Sequence, residues 1–323
     1  MSLVQPNQAE SLAIDSLYSG RPIEQISSND GETLTAYLRI AMEATLMQRS
    51  YAFRADELES FKKQDTSDVT EADRDIEQYV RDSLLTAFPA EGFNGEETET
   101  VAGSSGRTFV LDPVDGTTSF LYFEQRSGLS LAQIEGKNVP FGLVSHAVVG
   151  EIAYAIDNQR TRVIQLGMRK KDTQIRELPV QHNPNHKMTV ITQVGKSSQN
   201  LRNTLVERWH QKEIGRPQQS FGSPAVAILD SVRGKTVAVL QWLGGGKDTD
   251  DFDFAAAFKL VKNAGGKVII TRSNKHGLRA EHTKELTNDA LTTTIPNNGI
   301  ILTGANNDYV DDMYRSLLPK HNN

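Results

Sequence analysis

The residues best suited to chemistry lie in one short segment, residues 112–118, which reads Asp-Pro-Val-Asp-Gly-Thr-Thr. Asp112 and Asp115 flank a proline, whose fixed φ can turn both carboxylates and the Val114 carbonyl toward one point. Gly116 then lets the backbone approach a ligand closely, and the N–H groups of a helix or turn beginning there suit a phosphate oxygen. The segment therefore predicts a metal and a phosphate bound in one loop.

Further carboxylates fall at the ends of predicted elements, where functional sites commonly form. Asp73 is in the first turn of a predicted helix, and Glu96 precedes Glu97 in a loop. Asp253 is at the start of a later helix. Taken singly, Asp73 is explained as a helix-end charge and Glu96 as a solvated acid. The segment 112–118 taken alone is explained as a turn, because Asp, Pro and Gly are common turn formers.

The composition indicates which cation these groups suit. The 323 residues include no cysteine and only 7 scattered histidines, so the chain offers mainly oxygen ligands. Hard cations such as Mg²⁺ take carboxylate, carbonyl and water oxygens. The formal charge of −6 repels a phosphate ester unless cations intervene. We therefore predict Mg²⁺ as the cofactor.

The same bulk properties exclude several classes of partner. Acids and bases are interleaved along the chain, so no basic surface for a nucleic acid polymer or an anionic membrane is indicated. No apolar run approaches the ~20 residues that span a bilayer, and the N-terminus lacks a signal-peptide pattern. We expect a cytoplasmic protein that acts on a small molecule. Its oligomeric state, including a homodimer, is left open.

The elements that position the carboxylates can be predicted from local patterns. Apolar residues recur at helical spacing from Leu34. A second helix is predicted from Thr70, because Thr70 to Asp73 resembles a capping box, and it ends at Phe88. Residues 108–111 form a short β-run that stops at Asp112. The metal loop should therefore follow a strand end.

Over the whole chain, the order of predicted helices and strands divides the sequence into an N-terminal arm and two halves. Residues 1–30 are polar and aperiodic and predict a loosely attached arm without chemistry. Residues 31–180 predict an α+β half with the metal loop, and residues 181–323 an α/β half that contributes Asp253 and the substrate side. The predicted strands are 129–134, 142–149, 151–156, 188–194, 236–241, 267–271 and 299–303, and the later helices are 200–210, 223–232, 252–263 and 309–318.

In combination, these motifs resemble the inositol monophosphatase-like superfamily of metal-dependent, lithium-sensitive phosphatases. The resemblance extends over about residues 34–317. The motifs that carry it are Asp68-Val69-Thr70-Glu71-Ala72-Asp73, Gly95-Glu96-Glu97, the segment from Asp112 to Phe120, and Asp253-Phe254-Ala255-Ala256 followed by Ala264-Gly265-Gly266. The resemblance implies a layered αβαβα sandwich, the sugar-phosphatase fold of the α+β class. It also implies a hydrolase that uses two or three Mg²⁺ ions.

The resemblance further implies roles for individual residues. One Mg²⁺ would bind Glu96, Asp112 and the Val114 carbonyl, and a second would bind Asp112, Asp115 and Asp253. The other implied roles are Asp73 as a supporting or third-metal residue, Thr117 with Glu96 to orient and activate the attacking water, and Gly116, Thr117, Thr118, Gly222 and Ser223 on the phosphate and substrate side. Two cations would neutralise charge during in-line displacement by water, without a phosphoenzyme.

The substrate side departs from the family's patterns. Pro224 has no N–H, where inositol-specific relatives use one to contact the ring. Residues 242–247 lack the acid that those relatives carry. Nucleotide-directed relatives carry a Lys where residues 225–227 read Ala-Val-Ala. The ester is therefore left open among inositol, sugar and nucleotide types, with 3′(2′),5′-bisphosphate nucleotidase specificity as an alternative.

Two rival functions are also open. Haloacid-dehalogenase phosphatases form an aspartyl-phosphate on an Asp-x-Asp-Gly-Thr loop, but here two residues separate Asp112 from Asp115. The other rival is a non-catalytic phosphoester-binding protein of the same fold. The presence of Glu96, Thr117 and Asp253 together favours an enzyme.

Overall fold

The computed structural model of the chain describes residues 3–20, 30–58, 60–62, 68–122, 126–178, 189–193, 199–219, 222–233, 236–241, 254–274, 277–288, 290–293, 295 and 299–318. The helices in these ranges are α1 (Gln8–Ser19), α2 (Asp30–Ala52), α3 (Glu71–Ala87), α4 (Thr117–Leu121), α5 (Gln199–His210), α6 (Pro224–Val232), α7 (Ala255–Asn263) and α8 (Asn307–Leu317). None of these described helices has the length and hydropathy that crossing a bilayer requires.

The strands form two large sheets and one small hairpin. Their bounds are β1 (Ser60–Lys62), β2 (Asp68–Thr70), β3 (Gly92–Gly95), β4 (Arg107–Asp115), β5 (Gly128–Glu135), β6 (Asn138–His146), β7 (Glu151–Ile156), β8 (Arg162–Gln165), β9 (Gln174–Glu177), β10 (Thr189–Gln193), β11 (Gln218–Gln219), β12 (Thr236–Gln241), β13 (Lys267–Asn274), β14 (Gly277–Glu285) and β15 (Gly299–Gly304). Strands β3 to β9 form a seven-stranded sheet in sequence order. A second sheet has the order β11-β10-β12-β15-β13-β14, and β1 pairs with β2.

The apolar side chains show that the helices and sheets stack in five layers. On one face of the seven-stranded sheet, Leu111 belongs to a core shared with α1, α2 and α3. On the other face, Val110 packs in a core with α6, α7 and Ala238 of the second sheet. Val239, the next residue of that sheet, lies in a third core with α5 and α8. Because successive strand residues face opposite sides, each sheet is covered on both faces.

Several predicted elements are confirmed and some bounds change. The helices predicted from residues 34, 70, 200, 223 and 309 are present as α2, α3, α5, α6 and α8, whereas the predicted start of α7 at residue 252 lies outside the described residues. The strand predicted to stop at Asp112 is longer, because β4 continues to Asp115. The strands missing from the prediction are β1, β2, β3, β8, β9, β11 and β14. β9 and β14 are edge strands rich in polar residues, so their apolar alternation is weak.

The prediction of a loosely attached arm is wrong for the described part of residues 1–30. Residues 8–19 form α1, whose Ala13 and Ile14 are buried. The Asn7 side chain accepts from the Glu10 N–H in a capping box. In sequence, the strands of the seven-stranded sheet all precede residues 179–188, and the strands of the second sheet all follow them. Residues 179–188 themselves are outside the described ranges. The predicted division into halves at residue 180 stays a prediction.

A buried ion pair holds α1 against the seven-stranded sheet. Glu10 has no exposed surface, and Arg162 of β8 contacts both of its carboxylate oxygens, at 2.7 and 2.8 Å. The Tyr154 hydroxyl donates to the same carboxylate at 2.7 Å, and burial together with the Glu10 charge raises the pKa of Tyr154 well above its usual range. The charged residue Glu10 thus holds α1 in place, although the sequence of α1 shows little apolar periodicity.

We expect Glu10→Gln to lower the free energy of unfolding by about 3–5 kcal/mol, the usual cost of removing one partner of a buried pair. Asp172→Asn is the matched control, because Asp172 pairs with Arg169 where both side chains are well exposed, at 37% and 67%. That pair should contribute about 0–1 kcal/mol. Urea denaturation of both variants is the measurement, and equal losses would contradict the buried anchor.

Candidate active site

The end of β4 carries two buried aspartates on one face of the sheet. In a regular strand Asp112 and Asp115 would face opposite sides, because they are an odd number of positions apart. Asp112 lies opposite Ser130 of β5. Asp115 lies opposite Gly128, so three steps along β4 match two along β5. This bulge brings both carboxylates to the face that packs toward α6 and α7, and each residue is only 4% exposed.

The neighbouring strand brings Glu96 to the same level of the sheet. β3 is parallel to β4, and Gly95 lies opposite Leu111. β3 ends at Gly95, so Glu96 is the first residue after the strand, and Asp112 is the residue of β4 that follows Leu111. Glu96 is exposed, unlike the two aspartates. The parallel pairing therefore places an exposed acid just after the strand that neighbours β4.

Helix α3 supplies a third buried carboxylate, Asp73, which contacts the loop after β4. The Thr117 hydroxyl lies 3.3 Å from Asp73 Oδ1 and 3.1 Å from the Val114 carbonyl oxygen, both of which can accept its proton. Asp73 Oδ2 accepts from the Thr70 N–H at 2.8 Å and from the Thr70 hydroxyl at 2.5 Å. The capping box that begins α3 therefore also fixes the hydroxyl of Thr117.

The start of α6 holds Asp115. The Ser223 hydroxyl donates to Asp115 Oδ2 at 2.5 Å, and the Ala225 N–H donates to the same oxygen at 2.9 Å. Ser223 is fully buried and its side chain also caps α6 by accepting from the Val226 N–H at 2.8 Å. Pro224 is the first helical residue, a position that tolerates proline. The structure thus shows Ser223 as a cap and a donor to Asp115, and its predicted substrate contact stays a prediction.

Two glycines let the loop after β4 meet the turn before α6 at backbone distance. Gly116 has φ 87° and Gly222 has φ 101°, which favour glycine. A Cβ atom on Gly116 would lie 2.5 Å from the Ser223 nitrogen, and one on Gly222 would lie 2.3 Å from the Arg126 carbonyl oxygen. Thr118, in contrast, is exposed on α4. The predicted phosphate contacts of Gly116, Gly222 and Thr118 stay predictions.

Two residues that hold this region were not predicted. The Arg126 carbonyl accepts from the Ser223 N–H at 2.9 Å, and its guanidinium contacts Asp230 Oδ2 of α6 at 3.0 Å. Burial raises the pKa of Asp230, and the charge of Arg126 opposes that shift. Glu77 of α3 is fully buried and accepts from the Glu97 N–H at 2.9 Å.

A sequence signal existed for only one of these two residues. Glu77 is an acid on the apolar face of α3, next to Ile76 and Val80, where an unpaired charge would be costly. Arg126 acts partly through its carbonyl oxygen, which every residue type carries. No residue-type pattern identifies that contact.

The donor chemistry of the loop fits a hard divalent cation. The bulge presents two carboxylates on one face, and the Val114 carbonyl adds an oxygen ligand of the kind Mg²⁺ takes. Asp253 lies outside the described residues, as do residues 242–247. Within the described ranges, no three acidic or histidine side chains come close enough together to hold a metal ion. The ligand set of Glu96, Asp112, Val114, Asp115 and Asp253 therefore stays a prediction.

Comparison with known proteins gives the family context. A model described as "Inositol monophosphatase family" matches residues 30–306. A histidinol-phosphatase of Chlorobaculum parvum is 34% identical over 119 residues, which are 36% of this chain and 45% of that relative. The match thus spans about half the length of that relative. An inositol-1-monophosphatase of Bacillus subtilis is 23% identical over 235 residues, which are 70% of this chain and 81% of the relative.

Solved structures share the fold at lower identity. The extragenic suppressor protein suhB from Bartonella henselae has a TM-score of 0.66 at 19% identity, covering 90% of this chain and 99% of that chain. CysQ from Bacteroides thetaiotaomicron has a TM-score of 0.54 at 16% identity, covering 83% and 96%. At these identities the structures establish the fold alone. Together the comparisons confirm the predicted family resemblance and the layered fold.

The double role of Ser223 can be separated from ordinary helix capping. Asn306 caps α8 by accepting from the Tyr309 N–H and has no described contact with the loop. We expect Asn306→Ala to cost about 1 kcal/mol, as the loss of a cap usually does. Ser223→Ala should cost about 1.5–3 kcal/mol more, because the buried Asp115 carboxylate also loses a donor. Urea unfolding in a chelating buffer measures both, and equal losses would show that the bond to Asp115 contributes nothing.

Proposed function

Because the chain belongs to the inositol monophosphatase family, we propose that it is a Mg²⁺-dependent phosphatase that hydrolyses a small phosphate monoester by direct attack of water. The observation that carries the proposal is the bulge of β4, which faces Asp112 and Asp115 to one side next to a Thr117 hydroxyl held by Asp73. The identity of the metal as Mg²⁺ and the number of ions, two or three, are proposed on the same basis.

The residues that would hold Mg²⁺ are Glu96, Asp112, Asp115, Asp253 and the Val114 carbonyl. Bound there, the cations would neutralise charge on the phosphoryl group and lower the pKa of a coordinated water. The buried position of Asp112 and Asp115 supports this assignment, because a charged group in a low-dielectric site interacts strongly with a cation. Asp115 is already oriented by two donors from the start of α6.

Thr117 and Glu96 would handle the attacking water. The Thr117 hydroxyl has one proton, which faces acceptors on Asp73 and Val114. Its oxygen lone pairs are then directed to accept from a water molecule. Glu96 is exposed just after β3 and would take a proton from the water as the water oxygen bonds to phosphorus. The bond from phosphorus to the ester oxygen would break, and the leaving alkoxide would take a proton from solvent to become the alcohol. Gly116 and Thr117 N–H groups would contact the phosphate.

The start of α6 bears on substrate choice. Pro224 has no N–H, and the next three N–H groups of α6 donate to Asp115, to the Ser223 hydroxyl and to the Ser223 carbonyl. The first turn of α6 therefore offers no backbone donor to a polyol ring. We propose an inositol, sugar or nucleotide ester as the substrate class, with bisphosphate nucleotide specificity as the alternative. The cytoplasmic location and the homodimer stay predictions.

A phosphate-release assay tests the activity and its metal requirement. We expect the wild-type chain to release phosphate from at least one ester in a panel of inositol, sugar, histidinol and nucleotide phosphates with Mg²⁺, and to lose that activity in a chelator. Asp112→Asn should lower kcat about 100- to 1,000-fold, the range for removing one electrostatic contributor. Asp172→Asn, which changes an exposed carboxylate, should leave kcat unchanged.

Two outcomes would replace the proposal with a rival. No Mg²⁺-dependent release from any ester of the panel would favour a non-catalytic phosphoester-binding protein. Trapping of Asp112 with beryllium fluoride would favour an aspartyl-phosphate route. Full activity of Asp112→Asn would contradict the site itself.

A further inference from the structure

Helix α3 presents two buried carboxylates to the two loops of the candidate active site. Asp73 and Glu77 are four residues apart, so they lie one above the other on the same face of the helix. Asp73 is 2% exposed and Glu77 is 0% exposed. Asp73 contacts Thr117, as described above. The second carboxylate has no part in the proposed chemistry.

The Glu77 carboxylate lies directly beneath the turn that carries Glu96. Its Oε2 accepts from the Glu97 N–H at 2.9 Å. A Cβ atom built on Gly95 would lie 2.3 Å from Glu77 Cδ and 2.3 Å from Oε1. Only glycine allows so close an approach of backbone and carboxylate. The residues on both sides of Glu96 therefore contact the same side chain.

An acid is a costly choice for a purely structural contact at this position. Burying a carboxylate is unfavourable unless its oxygens are hydrogen-bonded, and within the described residues Glu77 Oε1 has no hydrogen-bond partner. The apolar neighbours on this face, Ile76 and Val80, show that a hydrophobic side chain would pack there. The hydrogen bond that Glu77 Oε2 accepts from the Glu97 N–H explains why a carboxylate is present here, because it fixes the turn at residues 95–97.

We propose that Glu77 is a positioning residue for catalysis, which holds the turn of Glu96 at a fixed place relative to Thr117. Glu77 and Asp73 are both on α3. The turn that carries Glu96 and the Thr117 hydroxyl are therefore both positioned relative to the same helix. This inference rests on the proposed function, because it assigns Glu96 and Thr117 to the same attacking water. It adds a residue that touches neither the ester nor the water.

The first test separates the acceptor at Glu77 from its volume. Glu77→Gln keeps an oxygen that can accept from the Glu97 N–H, whereas Glu77→Met keeps the length and removes the acceptor. We expect Glu77→Met to lower kcat about 10- to 100-fold with KM changed less than about threefold, because small misplacement of a catalytic group has effects of this size. Glu77→Gln should remain within about threefold of wild type. Leu84→Ala, on the same buried face, controls for weaker packing of α3.

The second readout does not depend on turnover. Hydrogen exchange of the Glu97 amide, followed in peptides covering residues 92–101, should be about tenfold faster in Glu77→Met than in wild type, as expected on loss of one hydrogen bond. It should stay slow in Glu77→Gln and Leu84→Ala. If the wild type lacks phosphatase activity, the proposed function fails while this measurement still reports on the turn.

The inference is overturned by any of three results. These are unchanged amide exchange in Glu77→Met, a loss of kcat no larger than that of Leu84→Ala, or a loss in Glu77→Gln as large as in Glu77→Met. If Glu77→Met does not fold, Gly95→Ala tests the same contact, because its Cβ would displace the carboxylate. Adding Glu77→Asp, which shortens the acid, should restore part of kcat, and no recovery would also overturn the inference.

Discussion

The bulge in β4 is the constraint on which the site depends, because it decides where a buried charge points. Without the extra residue, Asp115 would face the apolar core that contains Leu111, where burial of a carboxylate is costly. With it, Asp115 faces α6 and accepts from the Ser223 hydroxyl and the Ala225 N–H. The same contact joins the seven-stranded sheet to the helix layer between the sheets. The bulge in one strand is therefore stabilised by a contact with a residue 108 positions away in sequence.

The acids of the site are oriented by hydroxyl and backbone donors, which for two of the three acids lie at the starts of helices. Asp73 accepts from Thr70 at the start of α3, Asp115 from the start of α6, and Asp112 Oδ1 from the Val114 N–H at 3.0 Å. Helix N-termini favour negative charge, which suits Asp73 and Asp115 at the starts of α3 and α6. Neutral donors orient a carboxylate without cancelling its charge. Such an arrangement supports the proposal that a divalent cation completes the site.

The two sides of the loop are held by different parts of the chain. Helix α3, which packs in the core that contains Leu111, contacts Thr117 through Asp73 and the turn of Glu96 through Glu77. Arg126 and the start of α6 hold the opposite side, where Gly116 and Gly222 pack at backbone distance. The residues proposed to handle the attacking water and those proposed to face the substrate are thus held by different parts of the chain.

Local patterns in the sequence were sufficient for α3, its capping box and the order of the acidic motifs, because caps, turns and apolar periodicity act within a few residues. They identified Asp112, Asp115 and Thr117 as a group but not the face on which the aspartates lie, nor the bond from Ser223 to Asp115, 108 residues away. They also missed α1, which is fixed by Glu10 and Arg162, 152 residues apart. The tertiary structure alone decided these features, because contacts between distant residues depend on sheet order and register, which no local pattern specifies.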